Sequence, residues 1–124
     1  MLLRLIKIAQ GALRERAKAK DRSPHWPALR ARYLKASPTC AACGSKRLMQ
    51  VHHVAPYHLH PNLELEPTNL IGLCQWRLHH LDIGHGGNFQ GYNPTVVDDA
   101  AQYRKGGRAA RKVIVERAKR ARLT

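Results

Sequence analysis

The sequence predicts a small α+β fold: a short β core braced by metal ligands, with a basic helix at each end. Three observations predict it. The stretch from Cys40 to His85 holds all three cysteines and seven of the eight histidines, set among short apolar runs. Apolar residues recur at helical spacing in both terminal segments. The net positive charge is confined to those same ends.

A chain of 124 residues has room for one modest core, and with only seven aromatic residues that core gains from a staple. Three cysteines, two of them in a C-x-x-C, point to metal ligation in a reducing compartment rather than a disulfide framework. Arg4 and Lys7 interrupt the opening MLLRLIKIAQGALRERA, which leaves no secretory apolar run and no membrane span, and predicts a cytoplasmic protein. The formal net charge is +14. Residues 1–36 carry ten Lys/Arg against two acids and residues 104–124 carry nine against one, whereas residues 37–103 carry three against five. Two basic arms around a near-neutral centre suit salt-sensitive binding to a polyanion, nucleic acid first and an acidic membrane surface second.

The elements follow in order. Leu2, Leu5, Ile6, Ala9, Ala12 and Leu13 form the apolar stripe of an amphipathic helix over 2–20, weakened at Gly11. Ser23-Pro24 predicts a cap and first turn for a helix over 24–36, with Trp26, Leu29, Tyr33 and Leu34 on its core side. Ser37-Pro38 ends it. Leu48–Val54 and Asn69–Cys74 read as short strands, and the Pro56, Pro61 and Pro67 segment between them as an ordered loop. A helix can start within 75–83, before Gly84, Gly86 and Gly87. Thr95-Val-Val-Asp98 predicts a capping box for a helix at about 96–104. Gly106-Gly107 is a hinge, and 108–123 a last basic helix with Ala109, Val113, Val115 and Ala118 as its apolar stripe. The resulting organisation is a basic helix over 1–21, a central domain over 22–103 and a basic helix over 104–124.

Cys40-Ala-Ala-Cys43-Gly44 is the tight turn that aims two sulfurs at one tetrahedral ion, and Cys74 supplies a third thiolate. His79, five residues further on, is the expected fourth ligand, with His80 as fallback. The plainer alternative is three inert, buried cysteines. A structural Zn²⁺ would tie 40–43 to 74–79 and add folding energy that a small core lacks.

Adjacent residues of a strand face opposite sides, so only one of His52 and His53 can enter a given metal's coordination shell. Hydrolysis of a phosphodiester needs a base for water and a cation for the developing charge, and such a pair can divide that work. Asn69 can accept from a ring N–H and fix the tautomer of the base, and His80 and His85 can converge on the same cation. Plain surface histidines are the alternative.

The succession of C-x2-C, VHHVAP, TNLIGLC and a following histidine pair resembles the HNH endonucleases, whose ββα-metal (His-Me finger) core is braced by a cysteine zinc knuckle. The flanks RSPHWPALRARYLKASPTCAACG and GHGGNFQGYNPTVVDDA also resemble small HNH proteins of phages and prophages, so the likeness covers about residues 22–103. It implies that His52, His80 and a less typical His85 ligate a divalent cation, Mg²⁺ or Mn²⁺, with Ni²⁺ or Zn²⁺ as further candidates. It implies His53 as general base and Asn69 as the residue that orients it and holds the loop. Many relatives have a cysteine before the final histidine, where this chain has His79.

The reaction so implied is attack of water, deprotonated by His53, on a DNA phosphodiester, leaving 5′-phosphate and 3′-hydroxyl ends. Arg77 is the first candidate phosphate contact, with a plainer role in covering Trp76, and Lys46, Arg47, Arg104 and Lys105 are further nucleic-acid candidates. The likeness suggests DNA and phage packaging proteins as partners, and no membrane. The rival expectations are a zinc-braced DNA-binding protein without turnover and a phage accessory protein that docks through the C-terminal helix.

Overall fold

The computed structural model describes residues 1–19 and 22–123. Lys20 and Asp21, the end of the predicted N-terminal helix, and Thr124, the end of the C-terminal segment, lie outside the described residues. Among the described residues the fold is a small α+β arrangement of four α-helices and a two-stranded antiparallel sheet. They are α1 (Leu2–Ala19), α2 (Trp26–Ala36), β1 (Met49–His53), β2 (Leu70–Cys74), α3 (Val96–Gly106) and α4 (Arg108–Leu123). Among the described residues, no helix is long and apolar enough to cross a membrane.

The sheet pairs Met49 with Cys74, Val51 with Gly72 and His53 with Leu70. The core around the sheet falls into two clusters. Ile71 and Leu73 join Cys40, Cys74, Ile83, Val96, Ala100 and Ile114 in the larger cluster. Leu70 and Val51 pack instead with Trp26 of α2, flanked by Leu29, Tyr33 and Leu34. Helix α2 starts at Trp26, two residues after the predicted start, because the turn closed by Trp26 N on Ser23 O precedes it and Pro27 takes the first turn. The loop between the strands is ordered by short 3₁₀ turns at Pro61–Leu63 and Pro67–Asn69.

After β2 the chain turns at Leu78, a non-glycine residue with φ of 61°, and enters one π-helical turn, His80–Gly84. This short, fully buried turn stands where a helix starting within 75–83 was expected. Helix α3 begins at Val96 after Thr95, but the carboxylate next to the Thr95 hydroxyl is that of Asp99, 3.0 Å away, and not that of Asp98. Asp99 also accepts from Asn93 Nδ2 at 2.8 Å and pairs with Arg117 of α4.

Helix α4 does not stand apart. Ile114 is buried in the larger cluster, Arg111 pairs with Asp82 of the π turn, and Arg122 donates to the Gly86 carbonyl. Gly86 and Gly87 lie so close to α4 that a Cβ at either would meet Ala118 or Val115. The buried face is therefore centred on Ile114, while Ala109 and Val113 of the expected stripe are exposed.

Helix α1 turns the unexpected way. Arg4 donates to the Trp76 carbonyl, Gln75 Nε2 donates to the Lys7 carbonyl at 3.4 Å, and Gly11 packs against Gln75 and Phe89. Leu2, Leu3, Leu5, Ile6 and Leu13 are left exposed. Periodicity correctly groups the apolar residues on one face, but that face looks outward.

Candidate functional site

The first cluster is the Cys40, Cys43, Cys74 and His79 set, whose ligand atoms lie within 4.8 Å of one another. Cys43 Sγ is 3.8 Å from Cys74 Sγ, and His79 Nδ1 is 3.6 Å from Cys40 Sγ and 3.4 Å from Cys74 Sγ. Tetrahedral zinc, with bonds of about 2.3 Å to sulfur and about 2.0–2.1 Å to nitrogen, requires S···S near 3.8 Å and S···N near 3.5 Å. The residues fit that ion. A hydrogen bond from the Cys74 thiol, opposed by burial and reinforced by His79, pulls Cys40 down to about 3, so one thiolate is already favoured. The same bond, together with burial, pushes Cys74 up.

The knuckle is held from several sides. Gly44, at φ of 76°, closes the turn with its amide on the Cys40 carbonyl, and the Arg104 guanidinium lies against it. Ala41 N donates to the Gly72 carbonyl, which fastens the turn to β2. Tyr103 of α3 meets the His79 ring edge-on at 4.4 Å.

The second cluster is His52, His80 and His85, all buried, with their ligand nitrogens also within 4.8 Å. His80 Nε2 is 3.1 Å from His52 Nδ1 and 3.2 Å from His85 Nε2. Two imidazoles on one divalent ion at about 2.1 Å place their nitrogens about 3.0–3.4 Å apart. The tautomers agree with that role. His80 Nδ1 donates to Gln50 Oε1, and His85 Nδ1 donates to the Gly91 carbonyl at 3.0 Å, so both Nε2 atoms carry lone pairs into the cluster. Gly84 forms one wall, where an added Cβ would lie 3.1 Å from the His80 ring and 3.2 Å from the His52 ring.

His53 is next to His52 but belongs to different neighbours. Its Nε2 donates to the Glu64 carbonyl at 2.9 Å, which leaves Nδ1 as the acceptor nitrogen, 3.4 Å from Arg22 Nη1. The ring packs on buried Trp26 at 4.6 Å, and Arg22 covers that indole in turn. Both strand histidines, His80, His85, Arg22 and Tyr57 line a cleft of about 450 Å³.

Asn69 does not take the expected ring contact, which goes to Glu64. Its Oδ1 accepts from Ala55 N at 2.8 Å, and its Nδ2 donates to the carbonyls of Ala55 and Leu63 at 3.1 and 3.2 Å. It thus ties down the loop that carries Glu64. The Glu64 carboxylate accepts from Ser23 N at 2.7 Å and joins that loop to the segment before α2.

The five cationic candidates lie outside the cleft, and among the described residues the Lys/Arg that lines it is Arg22. Arg104 points its Nη1 at the Cys40 carbonyl from 3.4 Å, and Lys46 and Lys105 are exposed. Arg77 is exposed and does not cover Trp76, whose ring has Arg47 over it at 3.7 Å and Arg4 at 4.6 Å. Sequence reasoning missed Arg22, Gln50, Glu64 and Gly84. Only Gly84 carried a signal, as the first of the glycines that stop regular structure after residue 83, which did not show that it walls the histidine cluster. Among known proteins, no family model, curated protein or solved structure matches this chain.

Proposed function

We propose that the chain is a metal-dependent endonuclease of HNH type that hydrolyses DNA phosphodiester bonds, leaving 5′-phosphate and 3′-hydroxyl ends. In this reading β1, β2 and the His80–Gly84 turn serve as a ββα-metal core, and Cys40, Cys43, Cys74 and His79 hold a structural zinc. The observation that carries it is the opening into one cleft of a three-histidine ligand cluster and a fourth histidine with its acceptor nitrogen defined.

His52, His80 and His85 would hold a divalent cation, which when bound supplies positive charge to the phosphate and the leaving oxygen. The chain's own residues do the rest. His53 Nδ1 takes the proton of the attacking water, and the Glu64 carbonyl fixes the tautomer and favours the ring once it is charged. Arg22 offers its guanidinium to a non-bridging phosphate oxygen beside that nitrogen. Asn69 positions the Glu64 loop and touches neither water nor phosphate.

Supercoiled plasmid, incubated with the zinc-loaded protein with and without Mg²⁺ or Mn²⁺, tests the reading. Nicking that needs the cation and falls at least 100-fold in His53→Ala is expected. Zinc-loaded protein that binds plasmid but never nicks it would favour a binding module without turnover.

A further inference from the structure

A second cavity, of about 680 Å³, shares no lining residue with the histidine cleft. Four arginines converge on it from separate parts of the chain: Arg4 of α1, Arg77 after β2, and Arg108 and Arg111 of α4, with Trp76 and Tyr103 between them. Arg111 is paired with Asp82, and Arg4 is bonded to the Trp76 carbonyl. Among the described residues the guanidinium groups of Arg77 and Arg108 have no hydrogen-bond or ion-pair partner, and both residues are exposed. Gathering like charges around one hollow costs energy that an anion there would offset.

We propose that this groove docks the phosphodiester backbone of duplex DNA and contacts phosphates without reading bases. Guanidinium forks match phosphate oxygens in pairs, and the two unpaired ones are presented along one groove whose described lining holds no carboxylate. The ring best suited to stack a base, Trp76, already carries Arg47 and Arg4. Tyr103 is engaged with His79. Contact made only through phosphates is indifferent to sequence and sensitive to salt. The proposal shares with the nuclease reading its polyanion, DNA, and nothing else.

The test is fluorescence anisotropy of the zinc-loaded full chain on two short duplexes of unrelated sequence, without added divalent cation, over a range of salt. The double variant Arg77→Ala/Arg108→Ala should bind both duplexes equally, roughly 50-fold more weakly at 0.1 M salt, with the log–log salt slope reduced by about two. Arg77→Lys/Arg108→Lys should keep most of the slope, and the control Lys35→Ala/Lys119→Ala should weaken binding less than about fivefold. Parental affinity and slope in the double alanine variant, a loss confined to one duplex, or no duplex binding by the parent would overturn the groove. Binding with the expected slope by a protein that never nicks leaves the groove standing and sinks only the nuclease reading. Nicking that proceeds while the alanine variant binds like its parent sinks the groove alone.

Discussion

His79 and His80 are consecutive, yet their rings belong to different clusters: His79 Nδ1 lies 3.4 Å from Cys74 Sγ, and His80 Nε2 lies 3.1 Å from His52 Nδ1. Leu78, held in the left-handed region just before them, sets the direction from which the pair enters the π turn. One peptide bond therefore separates the cluster proposed to hold a structural zinc from the cluster proposed to hold the catalytic cation.

That separation can be tested by substitution. His79→Ala should lose bound zinc and melt at least 10 °C lower, because zinc binding contributes on the order of 10 kcal/mol to folding such sites. His79→Cys should retain one zinc per chain, since a thiolate also completes the tetrahedral set. His80→Ala should keep zinc and lose metal-dependent nicking. Metal analysis, thermal melting and the plasmid assay read these outcomes, and zinc loss in His80→Ala would show that the ligand assignments are exchanged.

Asn69→Ala should cost roughly 2–4 kcal/mol in urea unfolding, from three partly buried hydrogen bonds at about 1 kcal/mol each plus carbonyls left unpaired. Zinc content should stay at one per chain. A loss below 1 kcal/mol would mean that the loop over residues 55–64 is held by other contacts.

Gly84→Ala should leave the fold and the zinc intact but weaken Ni²⁺ binding at the histidine cluster at least tenfold in calorimetry. The added methyl group would press on both the His52 and His80 rings, and ligand positions tolerate little displacement. Unchanged Ni²⁺ affinity would place the ion elsewhere.

Acid should loosen α4 through Asp99. Burial works against its ionisation, but hydrogen bonds from Arg117, Asn93 and Thr95 outweigh that and hold its carboxyl below the usual carboxylate range. A carboxyl lowered in the folded state contributes stability that is fully present above the unfolded value of about 3.9 and is lost as pH falls through the folded one. Melting temperature should therefore drop below about pH 4, and Asp99→Asn should be less stable at neutral pH but flatter across that window. Parallel curves for the two proteins would remove Asp99 from the acid response.

How far the sequence could be read depended on the range of the interaction involved. Cys40 and Cys43 were legible because the geometry of a C-x-x-C turn is local, and Cys74 because it is the one other cysteine in the sequence. The two strands followed from short apolar runs bounded by turn residues, and the core side of α2 from a period-3.6 pattern. The Glu64 carbonyl under His53 was not legible, since a main-chain acceptor has no residue signature. Of the expected α4 stripe, Val115 and Ala118 pack on the body while Ala109 and Val113 do not and Ile114 is buried, because the stripe of a lysine- and arginine-rich helix is too sparse to fix its phase. For α1 the pattern said which residues share a face, and nothing in it says which face a neighbour will cover.

That last point bears on how the protein behaves at high concentration. Helix α1 is joined to the body through main-chain carbonyls and a glycine, so its leucines add little to folded stability. At low ionic strength a net charge of +14 keeps molecules apart. Near 1 M salt the screening length falls to about 3 Å, and exposed leucines of neighbouring molecules can meet. Light scattering should therefore rise with salt, opposite to what a charge-bridged aggregate would do. Leu5→Gln/Leu13→Gln should suppress that rise while shifting unfolding free energy by no more than about 0.5 kcal/mol.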